Sequence, residues 1–124
     1  MKKLTILFLF LYIFSLTSFS QVYWTKLKKN IYINYNSIEF NENSKIGWFK
    51  IIEPQQQLYR LEKYKAYCTQ NVIEVQQIKI FNYNNLLIEE EVNNNNIGCN
   101  YKSIVNGKIY YNALCDKKLL NTQK

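Results

Sequence analysis

Eight glutamates, a single aspartate (Asp116), three cysteines and no histidine are the groups this chain offers for acid–base, nucleophilic or metal chemistry. Without histidine the chain has no Ser–His or Cys–His nucleophile pair, no imidazole zinc ligand and not the usual general base. A paired-carboxylate mechanism would have to be built from glutamates. Glu39, Glu53, Glu62 and Glu74 show no spacing that joins two of them. Glu89, Glu90 and Glu91 stand in a row, and on a strand three consecutive side chains cannot share a face, so they read as a solvated edge. Phosphate-loop and dinucleotide fingerprints are absent, as is any Asn-x-Ser/Thr acceptor. The chain reads as non-catalytic, with no cofactor and no metal expected.

The cysteines are Cys68, Cys99 and Cys115. Three thiols allow three single pairings and leave one over. A bridge between Cys68 and Cys115 would close the longest loop, worth roughly 4 kcal/mol in the chain-entropy account. Cys99 is then free, paired with another chain, or a competitor for Cys115. Its neighbours Gly98 and Asn100 carry no charge that would activate a thiolate, so it reads as a bystander.

Binding chemistry is better represented. The chain has eleven tyrosines, two tryptophans and a formal charge of +7. Tyr and Trp together with cations are common on binding faces, although strands also use them for packing. Tyr32, Tyr35, Tyr59 and Tyr83 fall at strand ends or turns, where exposure is expected. No individual residue can be singled out as a ligand contact. The positive charge suits an extracellular protein or a polyanionic glycan.

The first residues explain why nucleic acid is not the expected polyanion. Lys2 and Lys3, the apolar run Leu4 to Leu16, and Ser18 and Ser20 ahead of Gln21 have the three parts of a secretory signal. The apolar run is shorter than the about 20 residues a spanning helix needs. Residues 1–20 are therefore expected to be cleaved, leaving no transmembrane segment and a single domain over residues 21–124. No cysteine stands directly after the apolar run, so a lipid anchor is not indicated. An exported chain can keep a disulfide, and a domain of this size gains from one.

The elements that would carry these residues are mostly strands. Gly and Pro are scarce, and Asn clusters punctuate segments rich in Tyr, Ile, Val and Phe. Strands are expected over Val22 to Leu27 and Ile31 to Asn34, with Tyr35-Asn36-Ser37 bending the chain toward Ile38 and Phe40. Lys45 to Glu53 is the clearest strand: Ile46, Trp48 and Ile52 share one face and Phe49 and Ile51 the other, which places it centrally with cover on part of both faces. Leu58 to Cys68 alternates Tyr64, Ala66 and Cys68 against Lys63, Lys65 and Tyr67, although its beginning also fits a helical turn. Val72 to Phe81 and Leu86 to Val92 form a hairpin about Asn82 to Asn85, and Asn93 to Asn96 is a loop. Beyond it the period changes: Tyr111, Leu114, Cys115 and Leu119 line one face of a helix. Asn106 would cap that helix, and Lys117 and Lys118 would sit at its negative end. The expected fold is α+β: one small antiparallel sheet of five or six strands with a C-terminal helix on one face.

In chain order, Trp24, the stretch Ile31-Tyr32-Ile33-Asn34-Tyr35-Asn36-Ser37-Ile38, the strand Trp48 to Ile52, Tyr64-Lys65-Ala66-Tyr67-Cys68, the turn Phe81-Asn82-Tyr83-Asn84-Asn85-Leu86, Tyr101 to Gly107 and finally Cys115 resemble the surface-adhesin E family of Gram-negative bacteria. That resemblance implies a C-terminal helix tied to the sheet by Cys68–Cys115, and a cell-surface role, since the best-known relative binds host matrix proteins such as vitronectin and laminin. The chain is accordingly expected to be an exported binding module, on the cell surface, secreted or periplasmic. The alternative is a structural accessory protein of the envelope. The oligomeric state is not set by the sequence.

Overall fold

The computed structural model describes residues 23–94 and 97–116. The expected signal segment, Val22, Lys117, Lys118 and Leu119 lie outside the described residues. Six strands follow one another: β1 (Thr25–Lys28), β2 (Ile31–Phe40), β3 (Lys45–Glu53), β4 (Leu58–Tyr67), β5 (Val72–Asn82) and β6 (Leu87–Val92). Among the described residues, a two-residue strand β7 (Cys99–Asn100), a 3₁₀ turn (Tyr101–Ser103) and the helix α1 (Gly107–Cys115) come next. The sheet is an antiparallel meander in the order β1-β2-β3-β4-β5-β6, with β7 added beside β5. β6 pairs with Gln77 to Phe81 and β7 with Val72 and Ile73, so the two share one edge of β5 end to end. The sequence leads to five or six strands; β7 is the addition, because two residues held only by tertiary pairing leave no periodic trace.

Asparagine makes the turns. Among the described residues five non-glycine residues have positive φ, and four of them are Asn30, Asn71, Asn85 and Asn106, with Gln57 the fifth. Asn tolerates the left-handed region and bonds its own backbone. Asn82 shows the second habit: its Oδ1 accepts from the backbone N–H of Asn84 at 2.9 Å and of Leu86 at 3.1 Å, closing the β5–β6 hairpin.

β3 has the bounds read from the sequence, and its alternation is as expected. β4 is a strand from Leu58 onward; its full-length pairing with both β3 and β5 overrides the helical reading of its start. β2 runs further than Asn34. At the expected bend the register with β3 slips between Asn34 and Glu39. Ser37 bridges the break: its hydroxyl donates to the Asn34 carbonyl at 2.6 Å and accepts from the Trp48 N–H at 3.0 Å. A side chain thus does the work of a missing ladder carbonyl.

α1 lies on one face of the sheet. Gly107, Tyr110, Tyr111 and Leu114 recur at the spacing of a single helical face and are buried, as is Ala113. They pack on Ile31, Ile33, Phe49, Ile51, Tyr64, Ala66 and Ile73. Phe49 meets Tyr110 edge-on at 4.8 Å, and Tyr110 stacks on Tyr64 at 4.5 Å. Full burial of Phe49 or Leu114 contributes roughly 1.5–3 kcal/mol each. Gly47 sets the seat of the helix, since a Cβ there would stand 2.7 Å from Leu114 Cδ2. Gly107 does the same at the helix start, where a Cβ would fall 2.1 Å from the Tyr101 carbonyl oxygen.

Cys68 and Cys115 form the disulfide that ties α1 to the turn after β4, closing a separation of 47 residues. Tyr111 reinforces the join by donating its hydroxyl to the Cys68 carbonyl at 2.7 Å. Asn106 occupies the N-cap position but in the left-handed conformation, without a capping bond from its side chain. Instead its carbonyl accepts from Ile109 and Tyr110. The helix face is also wider than the stripe read from the sequence, because Tyr110 turns inward with Tyr111.

Candidate binding face

The face of the sheet opposite α1 carries the densest chemistry. Trp48 on β3 stands beside Lys63 on β4, Lys50 beside Leu61, and Ile52 beside Tyr59, because antiparallel partners project to the same side. Across the next ladder Leu61 meets Lys79, Lys63 meets Gln77 and Tyr59 meets Phe81. These are the residues that alternate with the core set Phe49, Ile51, Glu62 and Tyr64.

The cations are laid over the rings. Lys63 and Lys79 approach Trp48 from two strands, with Nζ at 5.8 and 5.6 Å from the ring centre. Lys50 lies 4.6 Å over Tyr59 and Lys65 lies 5.2 Å over Tyr67. Tyr59 itself stacks on Phe81 at 5.2 Å. Each cation–π contact at such a half-exposed site is worth about 0.5–1 kcal/mol. Among the described residues Lys50, Lys63, Lys65 and Lys79 form no ion pair, whereas Arg60 on the other face pairs with Glu53 and Glu62. Strands about 4.8 Å apart and alternate residues about 6.7 Å apart set the roots of these lysines close together on one surface. Between them lies a shallow hollow of about 300 Å³ bordered by Trp24, Asn34, Trp48, Leu61 and Lys79.

One end of this face is closed. A Cβ on Gly98 would meet Val72 Cγ1 at 2.5 Å, so the loop before β7 lies directly on β5 there. Glu74 is buried beneath it, accepting from the Tyr67 hydroxyl at 3.1 Å and from Gln76 Nε2 at 2.5 Å. Cover on both sides of β3 is thus complete only on the helix side; the side bearing Trp48 stays half open.

Four carboxylates gather on the helix side: Glu53, Glu62, Glu89 and Glu91. Arg60 reaches Glu53 at 3.2 Å and Glu62 at 3.6 Å, so two glutamates that sequence spacing leaves apart are joined through one guanidinium. The reason is register: Glu53 and Glu62 lie on adjacent strands, flanking Arg60. Glu62 is buried and accepts from the Tyr64 hydroxyl at 2.7 Å. Burial first, and then the negative charge of Glu62, holds the hydroxyls of Tyr64 and Tyr110 well above the ordinary phenol range. Both therefore stay protonated, and Tyr64 remains a donor. Glu89 and Glu91 pair with Ile80 and Ile78 and, with Arg60, border a hollow of about 180 Å³. Glu90 points to the opposite face, beside Lys79 in register, and accepts from Gln77 at 2.6 Å. All three are exposed, the solvated edge read from the sequence.

Of the tyrosines expected at exposed positions, Tyr32 and Tyr59 lie on the open face and Tyr83 is exposed in its turn. Tyr35 is different: it packs against the core, and burial, aided by Asp116, raises its pKa. Trp48, Lys50, Lys63 and Lys79 are the face residues that sequence reading passes over. Their signal is alternation at every second position, visible as Trp48–Lys50, Lys63–Lys65 and Lys79–Phe81. Cys99 is exposed and unpaired.

Among the described residues there is no group of three His, Cys, Asp or Glu that could hold a metal, and no helix long and apolar enough to cross a membrane. No protein-family model, no curated protein and no solved structure matches the chain.

Proposed function

We propose that this chain is an exported, non-catalytic binding module that holds a polyanionic glycan on its open sheet face, as a surface adhesin in the manner of the surface-adhesin E family it resembles. The observation that carries this reading is the cluster around Trp48: lysines from two strands converge on one indole, and among the described residues neither forms an ion pair. Aromatic faces stack on the C–H surfaces of sugar rings, and the ammonium groups meet carboxylate or sulfate substituents. The hollow beside Trp24 and Trp48 is shallow and open, suited to a chain laid across it rather than to a small molecule enclosed by it.

The test is retention on a sulfated polysaccharide matrix against a neutral one, at low and high salt. Retention on the sulfated matrix, weakened by salt and lost in Lys63→Glu/Lys79→Glu, is the expected result. Equal behaviour on both matrices would overturn the reading. Protease shaving of intact source cells, with an antibody to residues 21–124, tests the location. Loss of the signal places the domain outside; protection until the envelope is broken removes the adhesin role.

A further inference from the structure

β1 and β6 end the sheet at opposite sides, and both ends are charged with opposite sign. β6 is exposed at all six residues and carries Glu89, Glu90 and Glu91. It also exposes large apolar side chains, Leu87 by 51%, Ile88 by 59% and Val92 by 58%. An exposed apolar edge strand is a template for further pairing, and natural sheets usually shorten, twist or cover such edges. β1 presents Lys26 and Lys28 to solvent, with Lys29 directly after it.

We propose that copies of this chain join head to tail, the β6 edge of one copy pairing with the β1 edge of the next to extend the sheet. The occupant is a second copy because this chain already carries the complement of each edge. Like edges repel: β6 against β6 sets three glutamates against three, and β1 against β1 sets lysines against lysines. Only the mixed contact brings opposite charges across the new ladder. Its direction is also right. In a meander of six strands β1 and β6 run opposite ways. A copy displaced along the sheet therefore offers its β1 antiparallel to β6, continuing the alternation. Such a contact is heterologous and does not close on itself, so the product is an open, twisted array rather than a dimer. It would also repeat the lysine–aromatic face at every copy, so that weak single contacts with a polymer add up.

The experiment is sedimentation of the chain recovered after export and processing, carrying Cys99→Ser to exclude thiol-linked pairs, from micromolar to millimolar concentration at low and high salt. The expected result is a weight-average mass that climbs past the dimer at low salt and returns to the monomer at high salt. The triple variants Glu89→Lys/Glu90→Lys/Glu91→Lys and Lys26→Glu/Lys28→Glu/Lys29→Glu each make both edges alike, so each alone stays monomeric. Their equimolar mixture restores complementary edges and assembles again. If a triple variant fails to fold by circular dichroism, the double variants Glu89→Lys/Glu91→Lys and Lys26→Glu/Lys28→Glu, which still reverse the sign of each edge, replace them in the same mixing design. A wild-type chain that stays monomeric at millimolar concentration and low salt overturns the proposal. So does assembly by either variant alone, or an inert mixture.

Discussion

The two faces of this sheet are made from alternate residues of the same strands, and they do different work. Along β3, Phe49 and Ile51 are buried under α1, while Trp48 and Lys50 stand on the open side. Along β4, Tyr64 and Ala66 are core, and Lys63 and Lys65 lie over aromatic rings on the other side. Charge divides along the same line. The face with the helix gathers Glu53, Glu62, Glu89 and Glu91 about Arg60, while on the open face Glu74 is buried at one end, Glu90 stands beside Lys79, and among the described residues Lys50, Lys63, Lys65 and Lys79 form no ion pair. The period of two along a strand thus lets one short segment stabilise the domain and present a cationic surface at once. Substitutions one residue apart should then separate stability from binding.

The largest effect falls on the helix side. Phe49→Ala removes a ring that is fully buried and touches both Tyr64 and Tyr110. The expected loss is about 3–5 kcal/mol in denaturant unfolding, enough to take a domain of this size to the limit of folding. Next comes Cys115→Ala, which opens the loop of 47 residues and costs roughly 4 kcal/mol at most, read as a fall in melting temperature without reductant. An unchanged melting temperature would mean that packing of Tyr111 and Leu114 alone holds the helix in place.

How much of this division can be read before folding depends on whether a feature lies within one strand or between strands. The bounds of β3 and its two faces follow from alternation in nine residues. The C-terminal helix shows in its changed period, and the cysteine tie in the resemblance. The cluster of Lys63, Trp48 and Lys79 cannot be seen that way, because it needs the register of three strands, and a slip of one residue would turn any of them to the other side. The same holds for Glu53 and Glu62 about Arg60. Tyr35 misleads because the irregularity of β2, repaired by Ser37, turns a turn-like residue toward the core.

A smaller effect of opposite dependence comes from the buried phenols. In the unfolded chain Tyr64 and Tyr110 ionise near the ordinary value of about 10. Folded, both are raised, by burial and then by Glu62. The stability tied to this difference is complete below pH 10 and drains away as pH rises above it, because the unfolded chain then releases protons that the folded one keeps. Unfolding midpoints are expected to fall above pH 10, and less steeply in Tyr64→Phe, which has no proton to lose there. Equal slopes would mean that Glu62 and its hydroxyl donor do not feel the burial that Phe49 feels beside them.

The smallest stability effect should come from the open face, where the comparison can be broken most directly. Lys79→Gln keeps most of the stem that lies across β4 toward Trp48 and removes only the charge. Loss of one such contact is expected to change unfolding by less than about 1 kcal/mol, within the usual range for surface positions. Its effect on binding should be larger and of a particular kind. A polyanion bound partly through Lys79 would lose affinity at low salt and keep nearly the same affinity at high salt, because screening already suppresses that contribution. The apt readout is therefore the slope of affinity against salt, compared with that of Trp48→Ala. Removing the ring takes away a contact that salt does not screen, so affinity should drop at both salt concentrations. If Lys79→Gln instead unfolded the domain as Phe49→Ala does, the open face would be a second structural layer and not a place where ligands dock.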